Sequence, residues 1–197
     1  MNLLNKKLVL ASKSPRRREI LRKAGFEFEI FPSNYDEKIS GLLYKKELVE
    51  NCAYNKALDV LKSFPEALII SSDTVVVAPF IDENNDKKEY ILGKPKDFDE
   101  AFLMLQNLSS KTHFVASSIC LLDKNKAIKN TGITKVTFRA LSDLEIKNYI
   151  NSKKPFDKAG SYGIQDEGFD FALKIEGEYD NVVGFPLKLF KKMLKEF

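Results

Sequence analysis

At 197 residues with 44% apolar content, the chain is long enough to bury a substantial core as one domain or two closely packed lobes. Thirty-two basic residues against 28 acidic ones leave a net charge of +4, which suits an anionic ligand and falls short of a nucleic-acid-binding stripe. A single histidine, His113, and two cysteines, Cys52 and Cys120, in no metal or redox spacing argue against histidine-built zinc sites and serine–histidine nucleophiles. Acid–base and metal chemistry then falls to carboxylates.

The first eleven residues carry only a brief apolar run and no processing-site pattern, so no secretory signal is expected. Leu8 to Ala11 reads as a strand running straight into Ser12-Lys13-Ser14-Pro15-Arg16-Arg17-Arg18-Glu19. There Ser14 fits a helix N-cap with Pro15 at the first helical position, and Gly25 is a natural stop. A strand at Glu27 to Phe31 and a polar connection with Asp36-Glu37 precede a helical pattern from Tyr44 to Lys62, which Pro65 ends. Ala67 to Ala78 is strand-like, Asp82 to Lys88 reads as a turn, and Tyr90 to Leu92 returns as a hairpin partner. After the Gly93-Lys94-Pro95 loop, Phe98, Ala101, Phe102, Leu105 and Leu108 mark one face of a helix. Thr112 to Leu122 and Ala127 to Phe138 are strand-like, and Ser142 with Glu145 forms a capping box opening a helix to about Ser152. A long polar loop, a strand near Phe169 to Ile175 and a final helix from Pro186 complete the chain.

This alternation predicts an α/β fold with a mixed sheet. No linker or repeat divides the chain, so one domain over residues 1–197 is expected. No apolar run is long enough to span a bilayer, and the cysteines are expected buried and reduced, which together point to a cytoplasmic protein without membrane partners.

Four features run against a reading from stability alone. Arginines crowd the first turn of the first helix, where the macrodipole disfavours each cation by a few tenths to about 1 kcal/mol. A helix start with guanidinium groups suits phosphate. Lys56 shares the apolar stripe of Val49, Cys52, Ala53 and Val60, so its ammonium either pairs with an anion or snorkels to water. Asp73 lies in Ile69-Ile70-Ser71-Ser72-Asp73-Thr74-Val75, an otherwise apolar strand, where a carboxylate fits a metal ligand, a general base or a strand-end cap. Last, the loop from Lys153 to Gln165, with its segment Asp157-Lys158-Ala159-Gly160-Ser161-Tyr162-Gly163-Ile164-Gln165, offers two glycines for close backbone approach and an amide suited to a base edge. Cations at Arg16, Arg17, Lys56 and Lys94 with oxygen ligands at Asp36, Glu37 and Asp73 fit a polyphosphate with Mg²⁺ or Mn²⁺.

On these segments, together with Ala53-Tyr54-Asn55-Lys56-Ala57 and Asn181-Val182-Val183-Gly184-Phe185-Pro186-Leu187, the chain resembles the Maf family of nucleoside triphosphate pyrophosphatases nearly end to end. The resemblance implies a mixed twisted sheet with flanking helices, two lobes around a central cleft, and hydrolysis of dTTP and UTP to the monophosphate and pyrophosphate. It implies Asp73 as proton acceptor, a divalent cation (Mg²⁺ or Mn²⁺) on Asp36, Glu37 and Asp73, and nucleotide contacts from Ser12, Arg16, Arg17, Lys56, Thr74, Lys94 and Gln165. Arg16, Thr74 and Gln165 match the branch acting on dTTP and UTP, and the absence of tryptophan agrees, because the sister branch carries Trp at the Arg16 position. It further implies a homodimer, and a role in clearing modified nucleotides. The chain departs from the family at Ser71-Ser72, where Gly-Ala is usual, at Ser117-Ser118, and at Asp166, where Gly usually follows the Gln. Two other readings stay open at this point: a non-catalytic nucleotide-binding regulator of cell division, and a pyrophosphatase preferring another nucleotide. A nucleic-acid-binding domain is disfavoured by the charge balance.

Overall fold

The computed structural model describes residues 6–81 and 86–197. Most of the expected turn at Asp82 to Lys88 therefore lies outside the described residues. Seven strands form one sheet: β1 (Leu8–Leu10), β2 (Glu29–Ile30), β3 (Leu68–Ile81), β4 (Lys87–Leu92), β5 (Thr112–Leu122), β6 (Ala127–Phe138) and β7 (Ala172–Glu176). Their order is β2-β1-β3-β5-β6-β7, with β4 paired to β3 beside that path. Among the described residues, six α-helices flank it: α1 (Pro15–Lys23), α2 (Lys46–Leu61), α3 (Phe98–Leu108), α4 (Asp143–Lys153), α5 (Tyr179–Val183) and α6 (Leu187–Glu196). The mixed α/β expectation and most element bounds hold. The long polar loop contains two 3₁₀ turns, Pro155–Asp157 and Ala159–Ser161, and α5 is a helix the sequence reading does not expect.

The strand β3 organises the molecule, because it changes partner along its length. Leu68, Ile69 and Ile70 pair in parallel with β1, whereas Val76 to Ile81 pair antiparallel with β4. Between them, residues 71–75 have a ladder neighbour only on the β5 side. The sheet forks there, and the C-terminal end of β1 opens onto the fork. Open α/β sheets bind ligands at such topological switch points.

Alternation along β3 sends successive side chains to opposite faces. Ile69 joins Val9, Ala53, Ala57 and Val60 under α2, while Leu68 and Ile70 join Leu21, Phe185 and Phe190 under α1 and α6. Past the fork, Val75 and Val77 pack with Val49 of α2, and Val76 packs with Leu105, Phe138, Ile146 and Tyr149 beneath α3 and α4. The two lobes thus have separate cores bridged by β3 and β5, with a cleft between them at the fork. Cys52 and Cys120 are buried and unbridged, as expected. Among the described residues, no helix is long and apolar enough to cross a membrane.

Candidate active site

The same alternation assigns Asp73 to the α2 face and its neighbours Ser72 and Thr74 to the α1 face. On the first face, Lys56 reaches up from α2. Its ammonium lies 2.5 Å from Asp73 Oδ1, 2.5 Å from Glu37 Oε1 and 3.4 Å from the Ser72 carbonyl oxygen. Lys56 is only 6% exposed and Asp73 2%. The ammonium therefore pairs inside the protein, which closes the snorkelling alternative. On the second face, Arg17 of α1 donates from Nε to the Gly184 carbonyl (2.9 Å). It donates from Nη1 to the Ser72 carbonyl (2.8 Å) and Ser12 Oγ (3.3 Å), and from Nη2 to Thr74 Oγ1 (2.9 Å). The Ser72 carbonyl, left without a strand partner by the fork, is thus held by a guanidinium from one face and an ammonium from the other. Two cations replace the missing strand.

The carboxylates differ in their titration. Burial pushes Asp73 above the usual carboxylate range; Lys56 opposes the shift and Glu37 adds to it. Burial acts upward on Glu37 too, but the Lys56 ammonium, with Lys94 and Arg17 behind it, holds that carboxyl below its ordinary value. Neighbouring carboxylates pushed in opposite directions are how acid–base roles are divided in one site. Arg17 is lowered by burial, with Asp73 and Glu37 acting against the shift.

The other predicted residues spread around a cavity of about 1100 Å³ that opens at the fork. Arg16 Nη1 donates to Asp157 Oδ2 at 3.1 Å across the cleft, and the half-exposed Lys94 lies 3.6 Å from Glu37 Oε2. Gln165 lines the same cavity, exposed and with no hydrogen bond among the described residues. Thr74 sits on the far face from Asp73, its hydroxyl between Arg17, Ser117 Oγ (2.9 Å) and the Gly184 carbonyl (3.1 Å). Ser12 Oγ accepts from the Ser14 N–H at 3.2 Å, while the Ser14 side chain makes no capping bond. Ser14 thus holds the expected N-cap position with Pro15 opening the helix, but the hydroxyl that meets a backbone N–H there is that of Ser12, two residues earlier.

Asp36 is not brought to Asp73. It lies on the cavity wall, exposed, with its carboxylate 3.1 Å from Lys38 Nζ. Among the described residues, no three His, Cys, Asp or Glu side chains gather as a metal cage. Asp73 and Glu37 nevertheless converge on a single cationic atom, Lys56 Nζ. A pair of hard oxygen ligands completed by substrate phosphates is a donor set that Mg²⁺ accepts.

Three contributors received no role from the sequence, although Asp157 and Gly184 lie in the segments that carry the resemblance. The Gly184 carbonyl accepts from Arg17, Thr74 and Ser72, and Gly184 ends α5 in a left-handed conformation (φ 119°), so the chain turns this carbonyl back onto β3. Asp157 holds Arg16. Tyr149, buried in α4, reaches the Gln165 loop. Of these, only the glycine after Asn-Val-Val carried a local signal, that of a helix stop.

His113 has the structural role expected of it. Its Nε2 lies 2.8 Å from Tyr162 Oη, and burial lowers its pKa to about 4, so the ring is neutral.

The family model described as "Maf-like protein" matches residues 7–197. A dTTP/UTP pyrophosphatase of Acetivibrio thermocellus is 42% identical over 200 residues, spanning 97% of this chain and 95% of that protein. One from Alkaliphilus oremlandii is 44% identical, over 92% of this chain and 91% of its own length. One from Bacillus cereus is 40% identical, over 98% and 96%. Among solved structures, the Staphylococcus aureus Ham1 protein aligns with 13% identity and a TM-score of 0.40, over 68% of this chain and 72% of that one, too loosely to add to these matches. With a near full-length match to the family model and relatives above 40% identity, the chain belongs to the Maf family.

Proposed function

We propose that this protein is a nucleoside triphosphate pyrophosphatase, hydrolysing dTTP and UTP to the monophosphate and pyrophosphate, with residues 1–197 acting as one domain around the cleft. The observation that carries the reading is the buried Asp73–Lys56 pair with Glu37 closing on it at the sheet fork, in a chain whose relatives are named for that activity.

In this reading the triphosphate lies along the fork, toward the first turn of α1 and within reach of Arg16 and Lys94. Asp73, ionised but held above the ordinary carboxylate range, accepts a proton from the water that attacks the α-phosphorus. The bond from that phosphorus to the bridging oxygen breaks, and pyrophosphate leaves with the electron pair. Glu37 stays ionised and keeps the Lys56 ammonium in place. A divalent cation would be held by Asp73 and Glu37 and would neutralise phosphate charge. Arg17, whose donors are engaged by protein acceptors, acts chiefly by positioning β3 and α1. Thr74 serves that same network, which leaves the base to Arg16 and Gln165.

The test is pyrophosphate release from dTTP and UTP, with product identification, by wild type and Asp73→Asn. The variant keeps the shape and removes the base, so turnover falls about 10²-fold or more. A folded Asp73→Asn protein with undiminished release refutes the role of Asp73. Nucleotide binding without any turnover by wild type would identify a sensor instead.

A further inference from the structure

The loop that carries Gln165 is clasped by a pair of side chains outside the reaction site. Tyr149 Oη donates to Asp166 Oδ2 at 2.6 Å and accepts from the Gly163 N–H at 2.8 Å. The Asp166 N–H closes the turn onto the Gly163 carbonyl at 3.0 Å. The carboxylate lies directly over Gly163, where a Cβ would come within 2.7 Å of Asp166 Oδ2. Lys158 Nζ approaches the same carboxylate at 3.9 Å. Tyr149 is itself fixed, 1% exposed in α4 and stacked edge-on against Phe169 and Phe171. Gln165 stands between the two gripped residues, and its exposed side chain lines the cleft.

We infer that Asp166 is a positioning residue for base selection: gripped by Tyr149, it locks the 163–166 turn and so fixes where the Gln165 amide meets the nucleobase. The inference rests on the pyrophosphatase reading above. A residue with no side chain at 166 cannot make this clasp, so this chain buys loop order with a carboxylate where its family usually has glycine. The clasp touches neither the phosphates nor Asp73, so its loss should raise KM for base-bearing substrates and leave chemistry on a bare phosphate chain intact.

The test compares wild type, Asp166→Ala, Asp166→Asn and Tyr149→Phe. Readouts are kcat and KM for dTTP, UTP and dCTP, hydrolysis of inorganic tripolyphosphate, affinity for α,β-imido-dUTP and for tripolyphosphate, and thermal midpoint. Loss of one charge-assisted hydrogen bond should raise KM for dTTP about tenfold in Asp166→Ala and Tyr149→Phe. It should also shrink the preference for dTTP over dCTP, with kcat and tripolyphosphate hydrolysis within about twofold of wild type. Asp166→Asn, whose amide oxygen still accepts from Tyr149, should recover most of the loss. Unchanged KM and selectivity in Asp166→Ala overturns the inference. So does an equal fall in dTTP and tripolyphosphate turnover, which would mark a general structural role. Wild type inactive on every triphosphate overturns the pyrophosphatase reading separately. The α,β-imido-dUTP affinities then still decide the clasp: about tenfold weaker in Asp166→Ala with tripolyphosphate binding unchanged supports it, and equal affinities refute it.

Discussion

Replacing Lys56 by Met would expose how much the fork depends on its cations. Methionine keeps the stem length, is a good helix former and removes only the charge. Asp73 then has no ammonium at 2.5 Å and little hydration to replace it, since its side chain is 3% exposed. Glu37, one-third exposed, can recover some hydration, so most of the loss falls on Asp73. Removing one member of a buried pair costs about 3–5 kcal/mol, and partial hydration of Glu37 puts the expectation near the low end, about 3 kcal/mol. In a chain of this size that is a fall of roughly 6–12 °C in thermal midpoint at pH 8. The pH dependence follows from the carboxyls. Without Lys56, Asp73 loses the largest influence opposing its burial and lies further above its unfolded value, while Lys94 and Arg17 still act downward on Glu37. A fold that binds more protons than the unfolded chain loses stability as pH rises through that window and regains it as pH falls. The gap between wild type and Lys56→Met should therefore narrow from pH 8 toward pH 5 in differential scanning calorimetry. A shift below about 3 °C at pH 8, equal at both pH values, would refute the buried triad.

Two further outcomes are expected. Arg16→Ala removes the guanidinium held at 3.1 Å from Asp157 and should raise KM for dTTP by roughly 10–100-fold while blurring the choice between pyrimidines; steady-state kinetics with dTTP, UTP and dCTP checks this, and near-normal values for both remove Arg16 from the site. His113, held neutral by burial with a pKa of about 4 against 6.5 for the free group, binds fewer protons folded than unfolded. Stability should then fall as pH drops from 6.5 toward 4, by up to about 1.4 kcal/mol per pH unit, and denaturant titrations of His113→Gln should lack that acid limb; parallel pH slopes for the two proteins would contradict it.

Much of the frame was readable because it obeys period and propensity. The bounds of β5 and β6 match the β-rich runs Thr112 to Leu122 and Ala127 to Phe138, and the Ser142–Glu145 capping box forms as expected. The fork was not readable. It arises because β3 outruns β1 and takes β4 as a later partner, and partner choice is a non-local property. Asp73 and Lys56 each stood out as misplaced charges, but their pairing depends on α2 lying over the same face of β3. Asp36 and Glu37 are adjacent carboxylates with opposite fates. The loop conformation, which no local pattern specifies, turns Glu37 toward Lys56 and leaves Asp36 with Lys38 in solvent.

The serines that depart from the family pattern show how the strand bears so many buried polar atoms. Ser71 donates to the Ala53 carbonyl at 2.5 Å, Ser72 to the Gly184 carbonyl at 3.3 Å, Ser117 to the Asn181 carbonyl at 2.9 Å, and Ser118 pairs with Thr131 at 2.7 Å. Each of these hydroxyls has a hydrogen-bond partner, Ser72 sharing the Gly184 carbonyl with Arg17 and Thr74, so none draws on Asp73 and none costs the several kcal/mol of unpaired burial. The same accounting resolves the arginines at the start of α1. A guanidinium in a helix's first turn is disfavoured while it faces solvent with only the dipole for company. Arg17 instead spends its donors on two carbonyls and two hydroxyls of β1, β3 and α5 neighbours, and Arg16 meets a carboxylate across the cleft. Each part-buried bond from the Arg17 guanidinium contributes about 1.5–3 kcal/mol, more than the few tenths to 1 kcal/mol the dipole takes away, whereas the exposed Arg16–Asp157 pair contributes about 0–1 kcal/mol. The Arg17 charge is therefore stable where it stands, with four of its five N–H donors engaged, while Arg16, held by one exposed carboxylate, has most of its donors left to offer an incoming nucleotide.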